Sequence, residues 1–391
     1  MRSLKYFFLG LFTILTLSVC AQRQDSIRFS LLTCAPGQEI YALFGHTAIR
    51  YENYTQHTDI VFNYGMFSFR TPHFVMRFIS GQTDYQLGIT PYNYFEAEYA
   101  FRGSSVYQQV LNLTQEEKLR LLALLEENYR PENRTYRYNY FYDNCTTRAR
   151  DRIEEAIEGS VVYPDSIAGL SFRKIVHEFT AGSDWDELGI DLCLGRQADE
   201  EIGKRLQMFA PFYMFRYASD AYIIDKNGEK RPLVLQETKI VEAEAEPAEP
   251  GFFMSPFLCA ACFLFLCVLI GWLQWRNRKI YWGWSVFLNV VQGVAGCIIA
   301  FLFFFSVHPT VSSNWLLMFL NPVPLFYIPF MIYFSLRGKK DPYHRINVVY
   351  LTLFMVIVPV CGQKINLSVL PLALGLLVNS VSYVLVWNKR K

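Results

Sequence analysis

Residues 140–151 read Tyr-Phe-Tyr-Asp-Asn-Cys-Thr-Thr-Arg-Ala-Arg-Asp, with a cysteine between an aromatic half and a charged half. The residues before Cys145 predict a loop or strand, and apolar residues at helical spacing after Arg148 predict a helix. Asp143 or Asn144 is a suitable N-cap for that helix. The pattern therefore places Cys145 in a first helical turn, where unpaired N–H groups and the helix dipole favour a thiolate. The alternative is an ordinary capped helix with a packed cysteine.

A cysteine nucleophile needs a base, and one upstream histidine is suitably placed. His46 opens a predicted strand, and a second predicted strand, 59–65, should pair back on it as a hairpin. Asp59 or Asn63 would then lie beside the imidazole and fix its tautomer. A histidine at a strand start is equally often structural, so the residues alone leave the role of His46 open. The other histidines of this half are predicted to be structural or solvated: His57, His73 and His177.

Outward from this motif, the chain divides into two halves of opposite composition. Of 391 residues, 52% are hydrophobic and 18% are charged, below the roughly 25% of a soluble domain. Residues 22–250 contain 24 Lys and Arg against 34 Asp and Glu, whereas residues 251–391 contain 11 against one. The acidic half argues against a nucleic-acid partner, and the apolar half excludes an ordinary soluble enzyme.

The second half, residues 252–391, is predicted to be a membrane domain, because a spanning helix needs about 20 apolar residues. Five windows are candidates: Phe252–Leu273, Trp284–Val307, Trp315–Leu336, Ile346–Cys361 and Leu367–Trp387. The segments after the first, third and fifth windows contain ten Lys or Arg, and the two alternate loops contain only Lys364. By the positive-inside rule, the C-terminus is cytoplasmic and residues 22–250 are outside.

The N-terminus is typical of a secretory signal peptide. A short basic region precedes an apolar run at 6–19, and small residues permit cleavage after Ala21. A lipoprotein processing site at Cys20 is the weaker alternative. The predicted segments before the membrane domain are a signal peptide, an exported catalytic domain and an acidic, proline-containing linker: 1–21, 22–240 and 241–251.

The exported half contains two further cysteines, Cys34 and Cys193, and an odd number of thiols in an oxidising compartment suggests that one is reactive. Cys34 follows a strand-like run and Cys193 has the surroundings of a core residue, so neither resembles Cys145. A disulfide between them is left open by the sequence. No CxxC or HxxxH occurs outside the membrane windows, and Walker, dinucleotide and GxSxG motifs are missing. We therefore expect neither a metal nor a cofactor.

Four segments in combination are characteristic: Phe44-Gly-His-Thr47, Asp59-Ile-Val-Phe-Asn-Tyr-Gly65, Asn133-Arg-Thr-Tyr136 and Asp143-Asn-Cys-Thr-Thr-Arg148. Together they resemble the Lnb-type lipoprotein N-acyltransferases. The exported domain of that family is similar to circularly permuted papain-like thiol enzymes, in which the histidine precedes the cysteine. The resemblance implies an α+β fold, with an exported permuted papain-like domain followed by an all-α membrane domain of five helices.

By this resemblance, Cys145 is the nucleophile, His46 the base and Asn63 the orienting residue of a cysteine-dependent acyltransferase. Neighbouring polar residues are assigned to the substrate: Asn144, Arg148, Asp59 and Tyr64. The implied reaction moves an acyl chain from the glyceryl group of a diacylated lipoprotein to the amine of its N-terminal cysteine, leaving a lyso-lipid. Two alternatives remain: a cell-wall peptide hydrolase of the same thiol class, and a non-catalytic membrane sensor or assembly factor.

The third membrane window is interrupted by prolines at 322, 324 and 329, and three polar residues lie toward its exported side: His308, Asn314 and Asn321. We hypothesise that this break forms a slot for a lipid headgroup beneath Cys145. The alternative is a kinked helix packed in a bundle. An aromatic run at 92–101 either lines a lipid groove or belongs to an ordinary core.

Overall fold

A computed structural model describes residues 26–37, 39, 42–243 and 254–389 of the protein. The predicted signal peptide and most of the predicted linker lie outside these ranges. The described part consists of an α+β domain with an antiparallel sheet, followed by five long apolar helices. This is the fold class that the sequence predicts.

The α+β domain is built on a seven-stranded antiparallel sheet and a smaller three-stranded one. The strands are β1 (Ile27–Cys34), β2 (His46–Asn53), β3 (Thr58–Met66), β4 (Asp84–Pro91), β5 (Val106–Leu111), β6 (Thr135–Arg137), β7 (Gly159–Val162), β8 (Tyr222–Asp225), β9 (Lys230–Pro232) and β10 (Val234–Val241). The large sheet has the order β10-β5-β1-β2-β3-β4-β6, and β7, β8 and β9 form the small one. The predicted hairpin is confirmed, because β2 pairs with β3 and Ile49 lies opposite Phe62.

Eight helices accompany these strands. They are α1 (Phe74–Ile79), α2 (Tyr92–Phe101), α3 (Gln115–Tyr129), α4 (Cys145–Ala156), α5 (Phe172–Thr180), α6 (Asp184–Cys193), α7 (Lys204–Gln207) and α8 (Pro211–Ser219). Cys145 is the first residue of α4 and Asn144 is its N-cap, as the sequence predicts. A reciprocal cap between Thr114 and Glu117 starts α3.

The two faces of the large sheet belong to two separate cores, because alternate residues of a strand face opposite sides. Leu31 and Phe62 lie in the core that contains α4. Their neighbours Leu32 and Val61 lie in the other core, together with Phe95 of α2. The aromatic run at 92–101 therefore packs on the sheet face opposite α4, away from the cysteine that the sequence singles out.

The five apolar helical spans are confirmed, and the third is interrupted. They are Pro256–Asn277 (α9), Trp282–Phe305 (α10), Trp315–Leu336, Tyr343–Val360 and Val369–Lys389. The third begins as a 3-10 helix, Trp315–Met318, and continues as α11 (Val323–Leu336); the fourth contains α12 (Tyr343–Ile357), and the fifth is α13 (Val369–Lys389). Helix α11 resumes directly after Pro322, so the predicted break is present.

The α+β domain rests on two loops of the membrane domain, 306–314 and 362–366. Asn314 donates from Nδ2 to the carbonyl of Leu192 at 2.7 Å. Gln363 donates from Nε2 to the carbonyl of Leu194 at 3.1 Å. These are the two alternate loops that the positive-inside rule assigns to the exported side. The domain is therefore held by direct contacts as well as by the linker.

A buried ion network strengthens this contact. Arg173 donates to Asp191 at 2.6 Å and to Asp199 at 3.0 Å, and all three side chains are almost fully buried. Each carboxylate also accepts from the membrane domain, Asp191 from Asn366 Nδ2 at 3.2 Å and Asp199 from the backbone N–H of Lys364 at 3.0 Å. A buried charge that lost its partner would be strongly destabilising, so this network fixes the orientation of the domain on the spans.

Candidate active site

The start of α4 is fixed by its cap. Asn144 Oδ1 accepts from the backbone N–H groups of Thr146 and Thr147, each at 2.9 Å, and the hydroxyl of Thr147 accepts from the N–H of Asn144 at 2.8 Å. The amide of Asn144 also donates to the carbonyls of Tyr140 and Phe209. Asn144 is therefore engaged in holding the helix start that presents Cys145; its assignment to the substrate stays a prediction.

His46 is presented by the first residue of β2, and its position depends on the glycine before it. Gly45 has a φ of +76°, and a Cβ at this position would lie 2.3 Å from the carbonyl oxygen of Cys34. Only glycine fits there, which explains the Gly-His pair. The next residue, Thr47, bonds through its hydroxyl to that of Thr146 at 3.0 Å, and this contact joins β2 to the start of α4.

The sequence leaves two partners open for the imidazole, and the structure brings Asn63 to it. His46 Nε2 lies 3.2 Å from Asn63 Oδ1. Asp59 lies toward the other end of β3 and forms a two-point ion pair with Arg50, at 2.9 and 2.7 Å. Because Asn63 Oδ1 can only accept, Nε2 carries the proton and leaves Nδ1 for the thiol. This is the orientation that a cysteine–histidine pair requires.

The thiol and the imidazole shift each other's pKa in opposite directions. Burial by itself raises the pKa of the Cys145 thiol, but the charge and hydrogen bond of His46 outweigh it, so that pKa is lowered. Burial by itself lowers the pKa of His46, but the charge and hydrogen bond of Cys145 and the hydrogen bond of Asn63 raise it. Both shifts favour a thiolate–imidazolium pair.

Three tyrosines that the sequence reasoning missed surround the thiol: Tyr136, Tyr138 and Tyr140. All three are close enough for the charge of Cys145 to raise their pKa further, although burial is the larger cause. The hydroxyls of Tyr136 and Tyr140 are buried and have no hydrogen-bond partner within the part of the chain that the structure describes. The alternation of three tyrosines just before Cys145 is the signal that could have revealed them.

Space remains beside the thiol because residue 65 is a glycine. Gly65 has a φ of +88°, and a Cβ there would lie 3.6 Å from Cys145 Cβ and 3.9 Å from the hydroxyl oxygen of Tyr136. A larger residue would fill the space between the two side chains. A Cβ at residue 65 would thus touch both Cys145 and the Tyr136 hydroxyl, and the glycine leaves that small volume unfilled.

Two further residues that the resemblance assigns to the substrate have internal partners. Arg148 forms a two-point ion pair with Asp143, at 2.6 and 2.8 Å, and its guanidinium lies 3.5 Å from the ring centre of Tyr136. The hydroxyl of Tyr64 donates to Asn128 Oδ1 at 2.7 Å. Arg148 therefore supports the ring of Tyr136, and Tyr64 belongs to the core under α4. Their roles toward a substrate stay predictions, as does that of Asp59.

One cluster among the described residues has the composition of a metal site. The potential ligand atoms of His177, Glu187 and Asp191 lie within 4.8 Å of one another. However, Arg173 Nη1 donates to the same Asp191 oxygen that His177 Nε2 contacts at 2.9 Å. The guanidinium supplies the positive charge there, so the cluster fits an ion-pair network better than a cation site.

The break in the third span is accompanied by a cavity of about 480 Å³. Asn314, Trp315 and Arg196 are among its lining residues, and neither Cys145 nor His46 belongs to the lining. Asn321 is used locally, since it donates to the carbonyl of Met318 and accepts from the N–H of residue 323. Asn321 thus stabilises the turn, and the headgroup slot beneath the thiol stays a hypothesis.

The other two thiols of the α+β domain lack a comparable partner set. Cys34 is fully buried, and burial raises its pKa far above the ordinary range. Burial raises the pKa of Cys193 to about 11. Both are free thiols in the structure, so the disulfide that the sequence leaves open is not formed. Cys145 is thus distinguished from them by a neighbouring base.

The capped helix start that carries Cys145, next to a histidine and an asparagine on an antiparallel sheet, belongs to an α+β domain mounted on five membrane helices. Residues 21–170 match the Lnb N-terminal periplasmic domain, and residues 248–391 match the Lnb transmembrane domain. The chain belongs to the Lnb family, a family of lipoprotein N-acyltransferases. No curated protein and no solved structure matches it, so the papain-like comparison stays a prediction.

Proposed function

We propose that the protein is a thiol acyltransferase that moves an acyl chain from the diacylglyceryl group of a lipoprotein to the amine of its N-terminal cysteine. The observation that carries the proposal is the geometry of Cys145, which begins a capped helix and interacts with a histidine held by Asn63. Family membership supports the substrate class. The site residues themselves need neither a metal nor a cofactor for this chemistry.

In the first half-reaction, the Cys145 thiolate attacks the carbonyl carbon of a glyceryl ester. The new bond joins Sγ to the acyl carbon, and the bond from that carbon to the glyceryl oxygen breaks. The imidazolium of His46 gives its proton to the departing oxygen, which leaves as the hydroxyl of a lyso-lipid. The enzyme then carries a thioester and a neutral His46.

In the second half-reaction, the free amine of the lipoprotein's N-terminal cysteine attacks the thioester carbon. Neutral His46 accepts a proton from the amine, an amide bond forms and the bond from carbon to Sγ breaks. The thiolate of Cys145 and the imidazolium of His46 are restored. Water in place of the amine would hydrolyse the thioester at this step, so exclusion of water is needed for transfer.

In both halves, negative charge develops on the former carbonyl oxygen. The unpaired hydroxyl of Tyr136 lies across the space beside Gly65 and supports a role as donor to that oxygen. A preorganised donor of this kind contributes most in a buried site, where water does not compete. Its ring is held from the other side by Arg148, which keeps the hydroxyl in place.

We further propose that the protein lies in a bacterial inner membrane with the α+β domain on the periplasmic side and the C-terminus in the cytoplasm. The domain contacts only the loops at 306–314 and 362–366 among the described interspan loops. Those two loops hold the single cation Lys364, whereas the opposite ends of the spans are strongly basic. The contacts and the charge pattern support one orientation.

The test is mass spectrometry of lipoprotein N-termini from cells that lack the protein, complemented with wild type or variants. Wild type should restore the mass of an N-acylated, lyso form, and Cys145→Ser should leave the N-terminal amine free. Cys34→Ser is the matched control, since it removes a buried thiol that lies in the core on the opposite face of the large sheet, and it should behave as wild type.

Two results would overturn the proposal. Full N-acylation with Cys145→Ser would exclude the thiol mechanism. Unchanged lipoproteins accompanied by altered cell-wall peptides in the strain that lacks the protein would instead favour a peptide hydrolase. Equal amounts of wild type and both variants in the membrane, measured by immunoblot, make the comparison valid.

A further inference from the structure

A row of aromatic rings leads from the outer end of the second span toward Cys145. We call it the aromatic strip and define it by six residues: Phe67, Phe69, Phe74, Phe78, Tyr85 and Tyr138. Successive ring centres are separated by 6.0 Å for Phe78–Phe74, 5.7 Å for Phe74–Phe67, 4.9 Å for Phe67–Tyr85 and 4.2 Å for Tyr85–Tyr138. These are the separations of packed aromatic pairs, so the strip is continuous.

The inner end of the aromatic strip reaches the site. Tyr138 is one of the three tyrosines around the thiol, and its Cε2 atom lies 3.8 Å from where a Cβ of Gly65 would be. Cys145 Cβ lies 3.6 Å from the same point. The ring of Tyr138 and the thiol therefore border the same space, which the glycine leaves open.

The outer end of the aromatic strip is attached to the membrane domain. Ser306, directly after α10, donates from its hydroxyl to the carbonyl of Ile79 at 2.8 Å. His308 donates from Nε2 to the carbonyl of Phe78 at 2.6 Å, and the two rings are in contact. Helix α1 is thus fixed at the level where the second span leaves the hydrocarbon.

Helix α1 presents apolar side chains outward at this level. None of its residues is buried, and Phe78 is 50% exposed. Phe69, which precedes the helix, is 64% exposed. Further exposed apolar side chains lie on this helix and at the end of the second span: Val75, Met76, Phe304, Phe305 and Val307. An apolar patch of this sort on a water-facing surface marks an interaction site, and here it adjoins a surface that already faces lipid.

We propose that the aromatic strip guides one acyl chain of a membrane-embedded diacylglyceryl lipid from the outer leaflet to Cys145. The proposal rests on the proposed function and adds to it the residues that select and position the donor. The exposed outer rings lie in the leaflet, and the inner rings of Tyr85 and Tyr138 provide an apolar wall along which the chain lies with its ester at the thiol. The strip accepts a long apolar chain and offers no charged group to a peptide.

The aromatic strip also accounts for how a lipid ester reaches a thiol that is buried above the membrane. An ester in the leaflet lies at the level of the headgroups, whereas Cys145 is buried in the domain above. Withdrawing a chain from the bilayer exposes CH₂ groups to water, which is unfavourable for each group unless an apolar surface replaces the lipid. A continuous strip of rings provides that surface, and we expect its loss to slow the capture of long chains far more than that of short ones.

The first test compares two substrates in proteoliposomes. For the double variant Phe69→Ser/Phe78→Ser, turnover of a diacylated lipopeptide in the bilayer should fall at least about tenfold relative to turnover of a water-soluble p-nitrophenyl butyrate. Both side chains are mostly exposed, so the fold should persist. Phe101→Ser, which removes a 93% exposed ring on the far face of the sheet, should leave the ratio unchanged. An unchanged ratio in the double variant would overturn the proposal.

The second test does not depend on turnover. A photoreactive p-benzoylphenylalanine replaces Phe78 in one full-length variant and Phe101 in another, and both are irradiated in nanodiscs that contain radiolabelled diacyl lipid. We expect lipid crosslinking at 78 and none at 101. Crosslinking at 78 with no N-acylation by wild type would reject the proposed function and keep the lipid path; N-acylation by wild type without crosslinking at 78 would reject the path alone.

Discussion

Cys34 and Cys145 are both buried next to the seven-stranded sheet, in the cores on its two opposite faces. Burial raises the pKa of each thiol, and in Cys34 the hydrogen bond of Tyr99 lowers that pKa too little to outweigh it. At Cys145 the charge and hydrogen bond of His46 outweigh burial, and the pKa of the thiol is lowered. His46 lies opposite Cys34 in the strand register, yet its imidazole interacts with Cys145. Backbone neighbours and chemical partners are thus different residues.

The comparison teaches that burial and reactivity are separate properties of a thiol. Cys34 lies in the interior of a sheet face, where only the hydroxyl of Tyr99 bonds to it. Cys145 begins a helix, where backbone N–H groups and a base converge. The start of β2 lies between the two thiols: His46 is paired with Cys34 in the strand register, and its imidazole interacts with Cys145. Each prediction below changes one group of the Cys145 site and compares it with a control variant.

The largest effect is expected from the pair itself. Cys145→Ala and His46→Ala should each lower turnover of a diacylated lipopeptide by a factor on the order of 10⁴ or more, because neither group acts without the other. For the same reason the double variant should be no slower than the slower single variant. Steady-state kinetics of purified protein in proteoliposomes measure all three.

Cys34→Ala serves as the control for this prediction and should keep turnover within about twofold, since that thiol only fills the core on the α2 face. Strictly multiplicative losses in the double variant would contradict a pair acting as a unit. Loss of activity in Cys34→Ala with an unchanged melting temperature would contradict the separation of the two faces.

A smaller effect is expected at Tyr136. Removing one donor to the developing oxyanion with Tyr136→Phe should lower kcat about 10- to 100-fold and leave KM nearly unchanged. The rate of Cys145 alkylation by iodoacetamide should stay the same, because the hydroxyl acts on the oxyanion and not on the thiol. Tyr99→Phe, which removes the hydroxyl beside Cys34, should change neither quantity. A parallel fall in alkylation would assign Tyr136 to folding or to the thiol.

The smallest effect concerns pH. The hydrogen bond of Asn63 raises the pKa of His46, so Asn63→Ala should lower it and move the alkaline limb of kcat/KM to lower pH by less than about one unit. The acid limb reports the thiol, which loses part of the imidazolium's support and should move upward. The pH profile of kcat/KM should therefore narrow on both sides, because the Cys145 thiol and the His46 imidazole titrate as a coupled pair. Thr90→Ala is a suitable control, since the Thr90 hydroxyl accepts from Nδ2 of Asn63 and not from the oxygen that faces His46. If the pH profile of Asn63→Ala kept the width of the wild-type profile, Asn63 would not orient His46.

Much of the candidate site could be predicted because its signals are local. The cap at Asn144, the first-turn thiol and the strand-start histidine each depend on a few adjacent residues. The choice between Asp59 and Asn63 could not be made, because both residues lie on the same strand and face the same side. The register of β2 and β3 decides between them. It places Asp59 beside Arg50, with which Asp59 forms an ion pair, and it places Asn63 near His46 at the start of β2.

The parts that could not be predicted depend on distant pairings. Tyr136 comes to the thiol on β6, a strand of three residues that pairs with β4. The domain docks on the spans through Asp191 and Asn366, which are 175 positions apart, and no local pattern announces such a bond. From the sequence alone, the linker therefore suggests only a flexible tether between the two domains. The helical spans and their number, in contrast, follow directly from runs of apolar residues.

The strand order of the large sheet has a consequence for how the protein is made. β1, the first strand in chain order among the described residues, lies between β2 and β5 in the sheet, whereas β10 forms an edge. β10 ends at Val241, shortly before the first span begins at Pro256. A chain exported from its N-terminus therefore delivers His46, Asn63 and Cys145 first, then the strand that completes the sheet, and the spans last. In that order of export, the residues that bond to the loops at 306–314 and 362–366 are outside before those loops emerge.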